Sequence, residues 1–290
     1  MTTENTEKRL IALVDGSIYS KSVCDHAAWI AGRTSAAVDL LHVIGRRETA
    51  SAPTNLSGNI TLGARTALLE ELSALDEQKA KLAQKRGRAI LEDAKEIVEA
   101  DGISDVSTKL RIGDIVETVG EFEKNAEMVV IGKRGEAADF AKLHLGSNLE
   151  RIVRAAKKPV FVASRAFKPV ERFLIAFDGG TSSMKAVDHV SRSPLFAGLE
   201  CRLLMVGAET ADTRKKLDDA RSVLEAGSYE VRSGIVQGTP EAAIAATVES
   251  DDIGILVMGA YGHSRMRSLI IGSTTTEMIR SCKVPVMLFR

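Results

Sequence analysis

The sequence has one tryptophan, only 4 % aromatic residues and three cysteines in 290 positions, and these scarcities close off several classes of function. Few aromatics among the basic residues leave no evident stacking platform for single-stranded nucleic acid. Cys24, Cys201 and Cys282 are odd in number, far apart and without Cys-x-x-Cys spacing, which argues against a disulfide framework or a metal site. Each reads as a small buried apolar residue. Charge of one sign is also lacking: Lys plus Arg and Asp plus Glu are 39 each, so no net field draws the molecule to a nucleic-acid backbone or an anionic membrane. No run approaches the roughly 18 apolar residues of a membrane span. Met1 to Arg9 carries no apolar core of signal-peptide length. Neither nucleic acid nor membrane is an expected partner, and the cytoplasm is the expected compartment.

What is present is an apolar content of 44 % in a length that favours two domains, together with an internal repeat. Arg9 to Ile44 aligns without a gap on Arg172 to Gly207 at an offset of 163, with Arg9/Arg172, Asp15/Asp178, Gly16/Gly179, Ser20/Ser183, His26/His189 and Val43/Val206 identical. The carboxyl ends align at an offset of 126, through Gly146/Gly272, Ser147/Ser273, Arg154/Arg280 and Pro159/Pro285. The offset falls from 163 to 126, so the first copy holds about 37 extra residues, which must lie in the polar stretch Arg46 to Gly63 and the charged run after it. Residues 1–165 and 169–290 are the expected domains, with a long helical insertion near residues 46–100 and a short linker carrying Pro169.

Each copy reads as apolar strands alternating with helices. In the first, Leu10–Val14, Ala37–Ile44, Val106–Leu110, Met128–Ile131 and Val160–Ala163 are expected strands, and Ala64–Ala100 an expected long helix with a solvated, mixed-charge face. In the second, Phe173–Phe177, Glu200–Val206, Glu230–Val236, Ile255–Met258 and Val286–Phe289 correspond. Strands without polar alternation, separated by helices, predict an α/β fold of two repeated, doubly wound parallel-sheet domains of five strands each. In such sheets ligands bind outside the carboxyl ends of the strands, where the strand order reverses.

The candidate residues fall at those ends. Met258-Gly259-Ala260-Tyr261-Gly262 is followed after nine residues by Gly272-Ser273-Thr274-Thr275 at the start of a helix. Glycines allow close backbone approach, and helix-start amides with hydroxyls suit phosphate oxygens. A tight turn and a helix cap are the structural alternative. The first copy has Gly132-Lys133-Arg134-Gly135, ten residues, then Gly146-Ser147-Asn148. Neither copy has a Gly-x-x-x-x-Gly-Lys-Ser/Thr cradle. Asp15 and Asp178 can accept from a ligand amine or ribose hydroxyl, or can form a turn or cap. His26 and His189 lie on the first helix of each copy and read as structural; His144 and His263 read as loop residues. No paired carboxylates accompany the glycines, and the single acid Asp139 reads as solvated.

At these residues the chain resembles the universal stress protein family in its tandem form: Val14-Asp15-Gly16-Ser17, Leu41-His42-Val43 and Lys158-Pro159-Val160 in one copy, Phe177-Asp178-Gly179, Gly238-Thr239-Pro240, Met258 to Gly262 and Gly272-Ser273 in the other. The resemblance implies an adenine nucleotide alpha hydrolase-like fold, its two domains paired about a pseudo-twofold axis, with Phe161–Ala163 meeting Met287–Phe289. It further implies ATP or AMP, with or without Mg2+, in the second copy, whose Gly-x-x-Gly, nine residues, Gly-Ser matches the pattern of binding members. Carried over, Asp178 and Val206 would contact adenine or ribose, and Met258, Gly259, Gly262, Gly272, Ser273, Thr274 and Thr275 the ribose and phosphates. Asp15, Val43, Gly132, Gly135, Gly146 and Ser147 would form a weaker second site, from whose pattern the ten-residue spacing departs. The expected function is a cytoplasmic stress-response regulator or nucleotide sensor acting through an unidentified protein partner, with homodimerisation of the chain compatible with it. Slow ATP hydrolysis and a nucleotide-free interaction scaffold are the alternatives, and no catalytic or metal residue is assigned.

Overall fold

A computed structural model of the chain describes residues 8–45, 62–133, 147–260 and 272–290. The first half runs β1 (Arg9–Leu13), α1 (Ser20–Thr34), β2 (Ala37–Ile44), α2 (Leu62–Ala100), β3 (Val106–Ile112), α3 (Ile115–Phe122), β4 (Met128–Gly132), α4 (Ser147–Ala155) and β5 (Val160–Ala163). The second repeats it: β6 (Arg172–Ala176), α5 (Thr181–Arg192), β7 (Glu200–Val206), α6 (Ala211–Ala226), β8 (Val231–Val236), α7 (Pro240–Ser250), β9 (Ile255–Gly259), α8 (Ser273–Ser281) and β10 (Val286–Phe289). Strand bounds match the sequence expectation to within two residues.

Ten strands form one sheet in the order β3-β2-β1-β4-β5-β10-β9-β6-β7-β8. Within each half every pairing is parallel. Successive strand residues therefore face opposite layers, and both layers are apolar: Leu10, Ala12 and Val14 pack toward α1 and α2, while Ile11 and Leu13 join the core under α3 and α4. Part of the insertion lies in α2, 39 residues long against 16 in its counterpart α6, while residues 46–61 of the expected insertion lie outside the described residues. Its last turns bury Leu91, Ala94 and Val98 against the sheet, whereas Leu69, Leu75 and Leu82 near its start are half or more exposed.

The halves meet where β5 runs antiparallel to β10, pairing Val162 with Val286, Phe161 with Met287 and Val160 with Leu288. Phe161 and Met287 are equivalent residues at the 126-residue offset, so the local twofold passes through this pair, and both are fully buried. That register sets the seam one residue earlier than expected. Ala163 and Phe289 lie beyond it and pair instead with Gly132 and Gly259.

At one end of the seam the linker is tied down. Ser22 Oγ donates to the Ser164 carbonyl at 2.8 Å, His26 Nδ1 is 2.6 Å from the Ser22 carbonyl, and the His26 ring stands against Phe161 at 5.4 Å and Phe167 at 5.1 Å. Arg33 on α1 donates to the carbonyls of Leu195 and Ala197 in the second half, and Lys133 to that of Cys282 at the end of α8. All three cysteines are buried and unbridged; burial pushes the Cys24 and Cys201 thiols up to about 12. Among the described residues no three His, Cys, Asp or Glu side chains group as metal ligands, and no helix is long and apolar enough to cross a membrane.

Two stability predictions follow from the seam and its histidines. Phe161→Ala empties a closed site and should cost about 3–5 kcal/mol, read as a lower urea midpoint, whereas Lys21→Ala on the exposed face of α1 should change it by about 0.5 kcal/mol or less. Burial holds both His26 and His189 below the ordinary imidazole value, so the unfolded chain binds more protons than the folded one just below about pH 6.5. The histidine contribution is therefore full above that pH and lost as pH falls. A urea midpoint that declines from pH 7 to 5.5, and declines less in His26→Gln, is the expected result.

Candidate functional site

The order of strands in each half reverses between β1 and β4, and between β6 and β9, so the crevices for a ligand open at the carboxyl ends of these pairs. In the second half this brings together Asp178 after β6, Val206 at the end of β7, Met258 and Gly259 at the end of β9, and Gly272 through Thr275 at the start of α8. Gly262 lies outside the described residues. The corresponding first-half set is Asp15, Val43, Gly132 and Ser147, with Gly135, Gly146, His144 and Asp139 outside the described residues, as is His263.

Asp178 shapes the turn into α5. Its Oδ1 accepts from the Gly180 amide at 2.8 Å and from Ser183 Oγ at 2.6 Å, and Gly179 adopts φ +74°, a conformation that favours glycine. Asp15 repeats the arrangement, its Oδ1 accepting from the Ser17 amide at 3.0 Å and from Ser20 Oγ at 3.3 Å. The pair found by sequence repetition thus has a turn-forming role in both halves. Gly259 allows close packing: a Cβ there would sit 3.0 Å from Ser182 Cβ and 3.1 Å from the Ser183 nitrogen, so any larger residue would have to push the first turn of α5 away from β9.

The three hydroxyls at the start of α8 have separate fates. Thr275, 3 % exposed, donates toward the Gly259 and Ala260 carbonyls at 3.3 Å each, which fixes α8 to the end of β9. Thr274 donates to Glu241 Oε1 at 2.6 Å, and that bond holds the Glu241 carboxyl below the usual range. Ser273 is exposed. Gly272 caps α8 without a side-chain bond, and the first intrahelical bond runs from the Thr276 amide to the Gly272 carbonyl, so the helix presents its leading amides at the strand end. Glu241 was not expected from the sequence. Its only local signal is a place after Pro240 in the first turn of α7; its meeting with Thr274, 33 residues on, is set by tertiary packing of α7 on α8.

The two crevices differ in what lies over the β-to-α turn. Ile90 and Lys216 occupy equivalent positions on α2 and α6, at the 126-residue offset. In the first half Ile90 Cδ1 closes on Gly16, where a Cβ would come within 2.8 Å of it; in the second, the Lys216 stem lies beside Gly179 with its ammonium 2.7 Å from Asp212. The α2 helix also presses on His42, whose Nδ1 is 2.7 Å from the Val14 carbonyl, through Gly87. An aliphatic side chain and a closely packed helix thus line the first crevice, and a lysine lines the second.

The universal stress protein family model matches residues 7–164 and 203–290. The chain belongs to the universal stress protein family. It is 34 % identical over 286 residues to a universal stress protein of Synechocystis, covering 98 % of this chain and 100 % of that one, and 25 % identical over 314 residues to one of Mycolicibacterium smegmatis, covering 100 % and 99 %. A crystal structure of a universal stress protein from Archaeoglobus fulgidus superposes with a TM-score of 0.74 at 22 % identity over 99 % of both chains, a likeness of fold. The tandem form of the family therefore spans this chain, including residues 165–202, where the structure builds β6 and α5 between the two matched segments.

In this universal stress protein the packing role of the glycine at the end of β9 can be measured without any ligand present. Gly259→Val should destabilise the protein by about 1–3 kcal/mol without nucleotide present, because the new side chain meets backbone of α5. Thermal unfolding of the apo protein checks it; an unchanged melting temperature would show that α5 retreats freely.

Proposed function

We propose that the chain binds an adenine nucleotide, ATP or AMP, in the crevice of its second half, and acts in the cytoplasm as a stress-response regulator that reports nucleotide state to a protein partner. The reading is supported chiefly by the amino end of α8 at the carboxyl end of β9, which starts on a glycine and takes no side-chain cap among the described residues, with Asp178 and Val206 across the crevice. A single helix terminus contributes only about 0.3–1 kcal/mol toward an anion, so Ser273, Thr274 and the leading amides must act together on phosphate. Asp178 and Val206 would hold the adenine or ribose, and Met258, Gly259, Gly262 and Gly272 would let the ligand lie against backbone. Asp15, Val43, Gly132, Gly135, Gly146 and Ser147 form the weaker site, since Ile90 covers the turn at Gly16.

Glu241 favours a second reading, slow ATP hydrolysis. An ionised carboxylate bonded to Thr274 stands at the phosphate end, where a divalent cation would offset its repulsion of phosphate and where it could orient a water. Binding and hydrolysis are separated by calorimetry with ATP and AMP, each with and without Mg2+, alongside phosphate release. One site per chain is expected, lost in Gly272→Val and retained in Gly132→Val. Glu241→Gln should tighten ATP in the absence of Mg2+ by roughly 2- to 10-fold, as removal of a nearby like charge does. No heat with either nucleotide would leave a duplicated interaction scaffold.

A further inference from the structure

The local twofold relates the two ends of the β5–β10 seam, and the ends are filled differently. At one end Phe167 of the linker rests on His26 and on Trp29, with ring centroids 5.1 Å and 6.3 Å away. The equivalents of His26 and Trp29 at the other end are His189 and Arg192. There His189 touches Phe289 at 5.0 Å, and a cavity of about 440 Å³ opens beside it. His26 thus has two rings against it, Phe161 and Phe167, whereas among the described residues His189 has one.

Two features of the cavity bear on its occupant. Behind it lie Leu10, Ile30, Met128, Leu195 and Phe289, all buried side chains of the core, so the cavity is rigidly backed by the sheet. Its rim is cationic. Lys8, Lys157, Lys185, Arg192 and Arg290 line it against the two acids Glu127 and Asp188. Asp188 is engaged by Arg192 at 2.5 Å, and Lys185 donates to the main-chain oxygen of Arg290 at 3.0 Å. The Lys8 and Lys157 ammoniums have no ion pair or hydrogen bond among the described residues. The volume lies within the range of small-molecule sites, which combine apolar walls with a few polar groups that orient the ligand.

We infer that this cleft between the halves is a binding site for a small aromatic anion, its ring seated against His189 and the stem of Arg192, the equivalents of the residues that carry Phe167 at the related end, and its anionic group drawn to Lys8 and Lys157. The site is distinct from the strand-end crevice of the second half and does not depend on nucleotide binding there. His189, held neutral by burial, supplies ring contact rather than charge.

The test uses the full-length protein with 2-naphthoate and its uncharged counterpart 2-naphthamide, titrated by calorimetry. One naphthoate site per chain is expected, with naphthamide about 2- to 30-fold weaker, the range given by two exposed charge contacts. Lys8→Ala combined with Lys157→Ala should abolish that preference while leaving naphthamide affinity unchanged, a readout that unfolding would not produce. Thr34→Phe, which puts a ring into the cavity from the end of α1, should remove both ligands. Naphthoate binding should persist in Gly272→Val and in saturating ATP, so failure of the nucleotide reading leaves this result untouched. Equal affinity for the two compounds, displacement by ATP, or binding that appears only once residues 1–7 are deleted would each overturn the inference; the last would assign the cleft to the chain's own amino-terminal segment.

Discussion

The antiparallel pairing of β5 with β10 is the constraint on which the rest of the molecule depends. Each five-stranded half would otherwise end in a short, wholly apolar edge strand with unpaired backbone groups, an aggregation hazard as well as an energetic cost. Joining the edges satisfies those groups, makes one ten-stranded sheet and closes Phe161 and Met287 from water. Because the strands meet antiparallel about a local twofold, the ligand crevices of the two halves point in opposite directions along the sheet. The seam thus supplies at once the stability of the pair and the separation of its two candidate sites.

Duplication kept the strands and changed the layer above them. The second half places a short α6 and the stem of Lys216 over its β-to-α turn, whereas the first uses the long α2 to lay Ile90 on Gly16 and to pack Gly87 against His42. The same divergence appears under the sheet. Asp114 caps α3 in the first half, accepting from the Val116 and Glu117 amides, and pairs with Arg151 on α4; in the second, the helix starts with Pro240, and Glu241 takes the Thr274 hydroxyl on α8. An ion pair joins the helices at one crevice and a hydroxyl-to-carboxylate bond joins them at the other. Identical folds therefore carry unlike electrostatics.

Contacts between the halves are not confined to the seam. Lys133, next to the glycine that ends β4, is buried and donates to the last turn of α8, whose other end is the candidate phosphate site. Arg33 reaches two carbonyls beyond α5, and Arg290 donates to the carbonyl of Arg154 at 2.6 Å. These bonds satisfy carbonyls at helix ends that would otherwise lack partners in a partly buried boundary.

The sequence by itself determined the duplication, the ten strands, the five-plus-five parallel architecture and the family, because strand burial on both faces and glycine-marked strand ends are local patterns that survive in one dimension. It also located Asp15 and Asp178 at the strand ends, though not that both brace a turn. Only tertiary structure decided the rest. That Gly259 meets the approach of α5, that Thr275 is spent on strand carbonyls, that Glu241 faces Thr274 and that Ile90 lies over the first half's turn and Lys216 over the second's are contacts between elements tens of residues apart. The cleft by His189 is of the same kind, since it is bounded by both halves and exists only once the seam has brought them together. Such contacts depend on how helices seat on a twisted sheet, which no short spacing in the sequence encodes.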